Sequence, residues 1–194
     1  MIDLNGYDEV QPVLPGEFLK LPPNGYVCQI VNVELGISKA GNPMIILYLD
    51  IAEGGFTGFF KNATDRVKNF RSDTKWDSSA IYRQLIFNND GKVSRFFKGL
   101  LTCFEKSNQI TFNTHPFDEQ KLRGCLIGFI FAEEEYQKRD GTISARVFPK
   151  FPKVVADIRQ GNFSIPETKK FSPPVAVPNT DLQETPIDES DIPF

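Results

Sequence analysis

The sequence has little of what catalytic and metal centres use. It contains one histidine, His115, and three widely separated cysteines, Cys28, Cys103 and Cys125, with no Cys-x-x-Cys pair. This spacing argues against a zinc site or a disulfide framework and favours buried free thiols. A nucleophile elbow, a phosphate-binding glycine loop and paired metal-binding carboxylates are also missing. We therefore expect no metal, no cofactor and no enzymatic activity.

Long apolar runs are absent as well. No stretch of about 18 apolar residues could form a transmembrane helix. Residues 1–5 lack the positive and apolar regions of a signal peptide. We therefore expect a cytoplasmic protein with no membrane partner. The length of 194 residues suits one domain with appendages.

Basic residues are missing from the C-terminal part of the chain. Residues 172–194 contain five acidic residues, five prolines and no Lys or Arg, so residues 1–171 keep 22 basic against 20 acidic residues, a net charge of +2. A segment of this composition cannot bury enough apolar surface to offset its ordering entropy. We predict an N-terminal extension (1–20), one domain (21–165) and a disordered, proline-rich acidic tail (166–194) with a tip at 187–194.

The domain reads as mainly β with one central helix. Five segments have strand patterns, and Ser94 begins a helix in which Phe97, Leu100, Leu101 and Phe104 recur at helical spacing. The strand segments are 26–35, 44–51, 80–87, 125–134 and 142–150, and a short helix is expected at 154–159. In the first strand, Val27, Val31, Val33 and Leu35 are expected on one face, with Gln29 among them as the exception. Three strands, a helix and two strands is the order of the OB-fold, a five-stranded Greek-key barrel.

Two surfaces combine cations with aromatic rings, as binding of single-stranded nucleic acid requires. The first is the connection 52–79, which we predict to be a long loop with an exposed Trp76. The second is the hairpin between strands four and five, where Glu133, Glu134 and Glu135 count against phosphate binding. The predicted DNA-binding residues of the connection are Phe59, Phe60, Lys61, Arg66, Lys68, Phe70, Arg71, Lys75 and Trp76. Those of the hairpin are Tyr136, Lys138, Arg139, Arg146 and Lys150. Arg95, Lys98 and Lys106 are interpreted as a solvated helix face.

The end of the chain resembles the acidic tip of bacterial single-stranded DNA-binding proteins. The residues that carry the resemblance are Asp188, Glu189, Asp191, Ile192, Pro193 and Phe194. Such a tip offers a partner an exposed ring, an α-carboxylate and flanking negative charge. The segments 93–100, 133–136 and 157–163 are similar to a family of phage and prophage proteins from Gram-positive hosts. The resemblance implies single-stranded DNA binding in replication modules.

The expected function is protection of single-stranded DNA during phage replication and recombination in a bacterial cytoplasm. The tip would recruit replication, recombination and repair enzymes, and a homo-oligomer remains open. One alternative is a recombination annealing or mediator protein of the same fold. Another is an adaptor that binds host enzymes through the tip and never contacts DNA.

Overall fold

Five antiparallel strands form one open sheet in the order β3-β2-β1-β4-β5. The computed structural model describes residues 20–113 and 115–172. The predicted N-terminal extension lies outside these residues except for Lys20, as do residues 173–194 with the tip. The strands are β1 (Asn24–Ile37), β2 (Pro43–Ile51), β3 (Ile81–Leu85), β4 (Leu126–Gln137) and β5 (Ile143–Lys153). All five predicted strands are confirmed.

The core lies on one face of the sheet, where alternate strand residues are buried. In β2 the side chains of Ile45, Leu47 and Leu49 are fully buried, while Met44, Ile46 and Tyr48 on the opposite face are only partly covered. In β1 the pairing register shifts between Ile30 and Asn32. This irregularity changes the phase of the alternation, so the prediction that Val27, Val31 and Val33 share one face is wrong.

The central helix α2 (Arg95–Asn108) is confirmed. The Ser94 hydroxyl caps it by accepting a hydrogen bond from Phe96 N at 3.2 Å. Its predicted apolar positions are buried in the core. At the other end, Asn108 Nδ2 donates to Leu126 O and Asn108 Oδ1 accepts from Leu126 N, at 2.8 and 2.9 Å. These bonds attach the last turn of α2 to the start of β4.

A second helix, α1 (Phe59–Lys68), occupies the connection that the sequence analysis treated as a loop. Its first turn is held by Asp50 of β2, whose buried Oδ1 accepts hydrogen bonds from Phe60 N and Lys61 N at 3.0 and 3.3 Å. Phe60 stacks on Phe131 with ring centroids 6.1 Å apart. The helix therefore depends on a cap from outside its own segment, which local sequence patterns do not reveal.

The short helix α3 (Val155–Arg159) confirms the last predicted helix and covers part of the outer face of the sheet. Two glycines allow this close approach. A Cβ on Gly128 would lie 2.5 Å from Ile158 Cγ1, and a Cβ on Gly25 would lie 2.5 Å from Phe163 Cζ. Two 3-10 turns, Ser78–Ala80 and Glu119–Leu122, complete the ordered connections.

The domain extends beyond residue 165, where the sequence analysis ended it. Lys169 forms a parallel bridge with Glu134. Glu135 N donates to Lys169 O at 2.9 Å, and Lys169 N donates to Glu133 O at 3.2 Å. The pairing of β4 with β1 ends at the pair Asn24 and Phe131, so the later residues of β4 have no β1 partner on that edge. Residues 168–171 lie along this unpaired edge of β4. The prediction of disorder from 166 onward is therefore wrong for these residues.

The observed architecture is mainly β, with few helices, and is compatible with an OB-like barrel. Helix α2 lies between β3 and β4, as predicted. The sequence predicted α2 and α3 but not α1, the third α-helix of the described residues. Over 20–113 and 115–172, none of the helices combines the length and apolarity that crossing a membrane requires.

Candidate nucleic-acid interface

The outward-facing side of the β4–β5 hairpin carries rings and a cation in a row. Residues that pair directly across an antiparallel ladder share a face. Phe129 and Phe131 of β4 point into the core, so their neighbours in β4 point outward. The outward pairs are Ile130–Phe151, Ala132–Phe148, Glu134–Arg146 and Tyr136–Ser144. We call this set the outer hairpin face.

Arg146 lies at the centre of this face, between two rings. Its guanidinium Cζ is 5.6 Å from the centroid of the Tyr136 ring and 5.5 Å from that of Phe148. Tyr136 is 37% exposed and Phe148 is half-buried. Cation–π contacts of this length hold the guanidinium over the rings while leaving its N–H groups available to an anion.

A second pair continues the row along β5. Lys150 Nζ lies 5.7 Å from the centroid of the Phe151 ring, and that ring is 44% exposed. The register of β4 and β5 shifts between Ile130 and Phe131, and Lys150 is the residue of β5 that this shift leaves without a direct pairing partner. The irregularity thus adds a cation beside the face without interrupting the series of rings.

The turn and the β5 arm of the hairpin are positive. Residues 138–153 contain five basic side chains and one acidic side chain, Asp140. Lys138 and Arg139 are exposed at the turn. Asp140 Oδ1 accepts hydrogen bonds from Thr142 Oγ1 and Thr142 N at 2.6 and 3.0 Å, and these bonds lower the pKa of its carboxyl. The single acid in this stretch therefore holds the turn in shape.

The three consecutive glutamates are engaged with the C-terminal segment. Glu133 Oε2 accepts from Thr168 Oγ1 at 2.9 Å, and Glu134 Oε1 accepts from Lys169 Nζ at 3.1 Å. Glu135 Oε2 accepts from Phe171 N at 3.0 Å. We call residues 168–171 the C-terminal strand, an extended segment that joins β4 through the single bridge of Lys169 and is not counted among the five strands of the sheet. Its residues donate hydrogen bonds to the three carboxylates that the sequence analysis counted against phosphate binding on this hairpin.

Glu134, which belongs to the outer hairpin face, also contacts its cross-strand partner Arg146. Its Oε2 lies 3.8 Å from Arg146 Nη2, so the carboxylate sits between two cations. The hydrogen bond from Lys169 is the main cause of the lowered pKa of Glu134, with the charges of Lys169 and Arg146 adding to it. The negative charge of Glu134 therefore has two positive partners, Lys169 and Arg146.

The rings of the connection between β2 and β3 are mostly withdrawn from solvent. Phe60 is 1% exposed and belongs to the core, so it is removed from the candidate interface. Phe59 is half-buried against the same core. Trp76 is half-buried and donates from Nε1 to Leu49 O at 3.1 Å, so its expected exposure is wrong. Only Phe70, 89% exposed, projects from the connection as expected for a stacking ring.

The cations of the connection remain on the surface. Lys61 is paired with Asp65 one turn later, at 2.5 Å. The other predicted basic residues are also exposed: Arg66, Lys68, Arg71 and Lys75. An exposed cation is compatible with phosphate binding and with ordinary solvation alike, so their predicted role stays a prediction.

A groove of about 520 Å³ brings the two predicted surfaces together. Phe59 and Ala63 of α1 lie on one side, and Ala145, Arg146 and Val147 of β5 lie on the other. Arg146 thus borders both this groove and the outer hairpin face. The sequence alone gives no sign of this proximity, because the two segments are about 80 residues apart.

Sequence reasoning missed one further ring. Phe96 is 64% exposed at the start of α2, with Arg95 Cζ 5.4 Å from its centroid. A signal was available, since the helical spacing that selects Phe97, Leu100, Leu101 and Phe104 for the core leaves Phe96 off the buried face. Arg95 was instead interpreted as part of a solvated polar face.

The cysteines are free, with Cys28 buried and the other two half-buried. Burial raises the pKa of each thiol. Among residues 20–113 and 115–172, no cluster of three or more His, Cys, Asp or Glu could hold a metal ion. The predicted partner-binding residues of the tip lie outside the described part of the chain.

Comparison with known proteins leaves the family open. No protein-family model matches the chain. No curated protein matches it significantly either.

Proposed function

We propose that this protein binds single-stranded DNA along the outer hairpin face. The observation that carries the proposal is the row of Tyr136, Arg146, Phe148 and Phe151 with Lys150 beside it, in which Arg146 and Lys150 each lie over a ring. Rings stack on bases regardless of sequence, at about 1–3 kcal/mol per base, and cations neutralise phosphates. The surface therefore supplies both interactions that a sequence-tolerant binder needs.

The engagement of the three glutamates supports the same proposal. Their carboxylates accept hydrogen bonds from the C-terminal strand, and Glu134 is flanked by Lys169 and Arg146. The charge of Lys169 therefore reduces the repulsion of phosphate by Glu134, while Glu133 and Glu135 lie on the opposite face of β4 from Arg146. Lys138 and Arg139 at the exposed turn extend the positive surface toward the end of the hairpin.

We propose that the domain is an OB-fold barrel. The strand order β3-β2-β1-β4-β5 and the position of α2 between β3 and β4 agree with that topology. OB-folds bind oligonucleotides with the β2–β3 face and with the loops that join β1 to β2 and β4 to β5. In this protein the outer hairpin face would extend DNA binding from the β4–β5 loop onto strands β4 and β5 themselves.

The proposed biological role is coating of single-stranded DNA in phage replication and recombination, in a bacterial cytoplasm, without an enzymatic activity. The acidic tip would capture replication, recombination and repair enzymes. Phe171 N donates to Glu135 Oε2, so the sequence leading to the tip follows a segment that is attached to β4. Deleting residues 187–194 should leave DNA binding intact or tighter and should abolish enzyme capture in a pull-down.

The test is fluorescence anisotropy of labelled oligo-dT and of a labelled duplex, titrated with the full chain at low and moderate salt. The proposal expects preference for the single strand, and affinity that falls with a log–log slope of about −0.7 per neutralised phosphate. No binding to either probe would contradict it and favour the adaptor alternative. Rapid pairing of the labelled oligo-dT with oligo-dA added after the titration would favour the annealing alternative.

A further inference from the structure

A groove of about 480 Å³ lies between the N-terminal half of α2 and the end of β5. Its borders include Arg95, Phe96, Gly99 and Cys103 from the helix, and Phe151 and Lys153 from the strand. We call it the α2 groove. Phe151 belongs both to this groove and to the outer hairpin face, so the two surfaces are continuous.

Each side of the groove presents a ring with a cation beside it. Phe96 on the helix side lies 5.4 Å from Arg95 Cζ, and Phe151 on the strand side lies 5.7 Å from Lys150 Nζ. Phe96 has no part in the core, which α2 contacts through its other apolar residues. Two exposed rings with adjacent cations are suited to a ligand that has both flat bases and negative charge.

Gly99 keeps the helix side of the groove open. It lies in the middle of α2, where glycine lowers helix stability relative to alanine. A Cβ at this position would meet no atom within 4 Å, so packing does not require glycine there. Its backbone has no positive φ either. A larger side chain at 99 would occupy the groove without disturbing the core.

We propose that the α2 groove is a second subsite for single-stranded nucleic acid. The inference rests on the proposed function and extends the path of the strand beyond the hairpin. A base stacks against Phe96 or Phe151, and the neighbouring phosphates contact Arg95, Lys150 and Lys153. From Ser144 to Phe151 the strand rises roughly 20 Å at about 3.3 Å per residue. The full path therefore spans several nucleotides.

The first experiment measures the affinity of full-length variants for an oligo-dT of about 16 nucleotides, the upper site size of an OB-fold. Phe96→Ala should weaken binding at least about fivefold, since one stacked base is lost. Gly99→Leu should weaken it comparably by filling the groove. Gly99→Ala is the matched control, with unchanged affinity and a raised unfolding midpoint.

The outcomes separate the two proposals. If the wild type binds and Arg146→Ala weakens binding, but Phe96→Ala and Gly99→Leu bind like the wild type, the second subsite is refuted and the hairpin site stands. If the wild type does not bind oligo-dT, both are refuted. Thermal unfolding of each variant identifies a loss of affinity that comes from misfolding.

A second experiment uses the half-buried thiol of Cys103 as a reporter inside the groove. In a Cys125→Ser background, with Cys28 buried, maleimide labelling at mildly alkaline pH follows Cys103 alone. Saturating oligo-dT should slow the labelling, and less so in the Phe96→Ala variant. An unchanged rate would overturn the proposal. Faster labelling after removal of residues 187–194, with no effect of DNA, would assign the groove to the acidic tip instead.

Discussion

The Glu134 carboxylate accepts a hydrogen bond from Lys169 Nζ at 3.1 Å, which ties the C-terminal strand to the hairpin that carries the proposed DNA site. On its other oxygen the same carboxylate lies 3.8 Å from Arg146. A residue that holds the start of the tail in place therefore also competes with phosphate for the central arginine. The occupancy of the DNA site and the attachment of the C-terminal strand should influence each other.

Replacing Glu134 with glutamine should tighten single-stranded DNA binding. The change removes a negative charge beside Arg146, and a surface ion pair of this kind is worth about 0.2–1 kcal/mol, or up to about fivefold in affinity. Anisotropy titration with oligo-dT measures the effect. Glu133→Gln is the matched control, because it removes the same charge from the face of β4 opposite Arg146. The Glu133 side chain is bonded to Thr168 and not to Arg146. Equal gains in both variants would mean that net charge alone is responsible.

Attachment of the C-terminal strand to β4 should weaken at acidic pH. The pKa of Glu134 is lowered from its usual 4.5 in the folded protein, chiefly by the hydrogen bond from Lys169. The carboxylate's contribution is therefore complete above that usual value and is lost as the pH falls through the lowered pKa. The protection factors of the Lys169 and Glu135 amides, which correct for the intrinsic slowing of exchange in acid, should fall over this range. The Glu134→Gln variant should show a smaller pH dependence, and an equal dependence would assign it to other groups.

Arg146→Lys should weaken DNA binding although it keeps the charge. A lysine retains one point charge but loses the planar guanidinium that contacts the rings of Tyr136 and Phe148. We expect a loss of affinity with a largely preserved salt slope, whereas Arg146→Ala should also make the slope shallower by about 0.7. Titrations at several salt concentrations separate the two effects. A lysine variant that binds like the wild type would remove the cation–π contacts from the account.

Replacing Asp50 with alanine should destabilise the fold without a direct effect on DNA. The change leaves Phe60 N and Lys61 N without their acceptor at the start of α1. Unsatisfied groups of this kind cost about 1–3 kcal/mol in the free energy of unfolding, which urea denaturation measures. Asp50→Asn keeps an oxygen acceptor and should lose less. Equal stability of the alanine variant and the wild type would show that α1 does not need this cap.

Trp76→Phe should leave DNA affinity unchanged. The indole packs on the core and donates to Leu49 O, so the variant should lose about 0.5–1.5 kcal/mol of stability through that hydrogen bond. Oligo-dT titration and urea denaturation of the same variant give both quantities. A large loss of affinity in a folded variant would show that the connection between β2 and β3 contributes to DNA binding through Trp76.

The strand order and α2 could be predicted because their signals are local. Ser94 and the apolar residues after it are enough to define α2, and the strands follow from apolar runs bounded by turn residues. In β1 the alternation failed because the register shift near Val31 has no recognisable sequence pattern. Gln29, a polar residue within the assumed apolar face, was the sign in the sequence that the assumed phase was wrong.

The candidate site was only partly predictable because it depends on contacts distant in sequence. Helix α1 is capped by Asp50 from β2, and Trp76 finds its acceptor 27 residues earlier, at Leu49. The glutamates looked repulsive because their partners lie about 35 residues later, in a segment whose composition suggested disorder. Arg146 and Tyr136 were found because rings and cations alternate within a single hairpin.

The most direct test compares two double variants of the full chain in oligo-dT binding at low salt. Tyr136→Ala with Arg146→Ala removes one ring and one cation from the outer hairpin face. Phe70→Ala with Arg71→Ala removes the same from the exposed connection. The account predicts that the hairpin variant loses at least about tenfold in affinity, since a stacked base and a phosphate contact both disappear, and that the connection variant loses much less. Retained affinity in a folded hairpin variant would contradict the account.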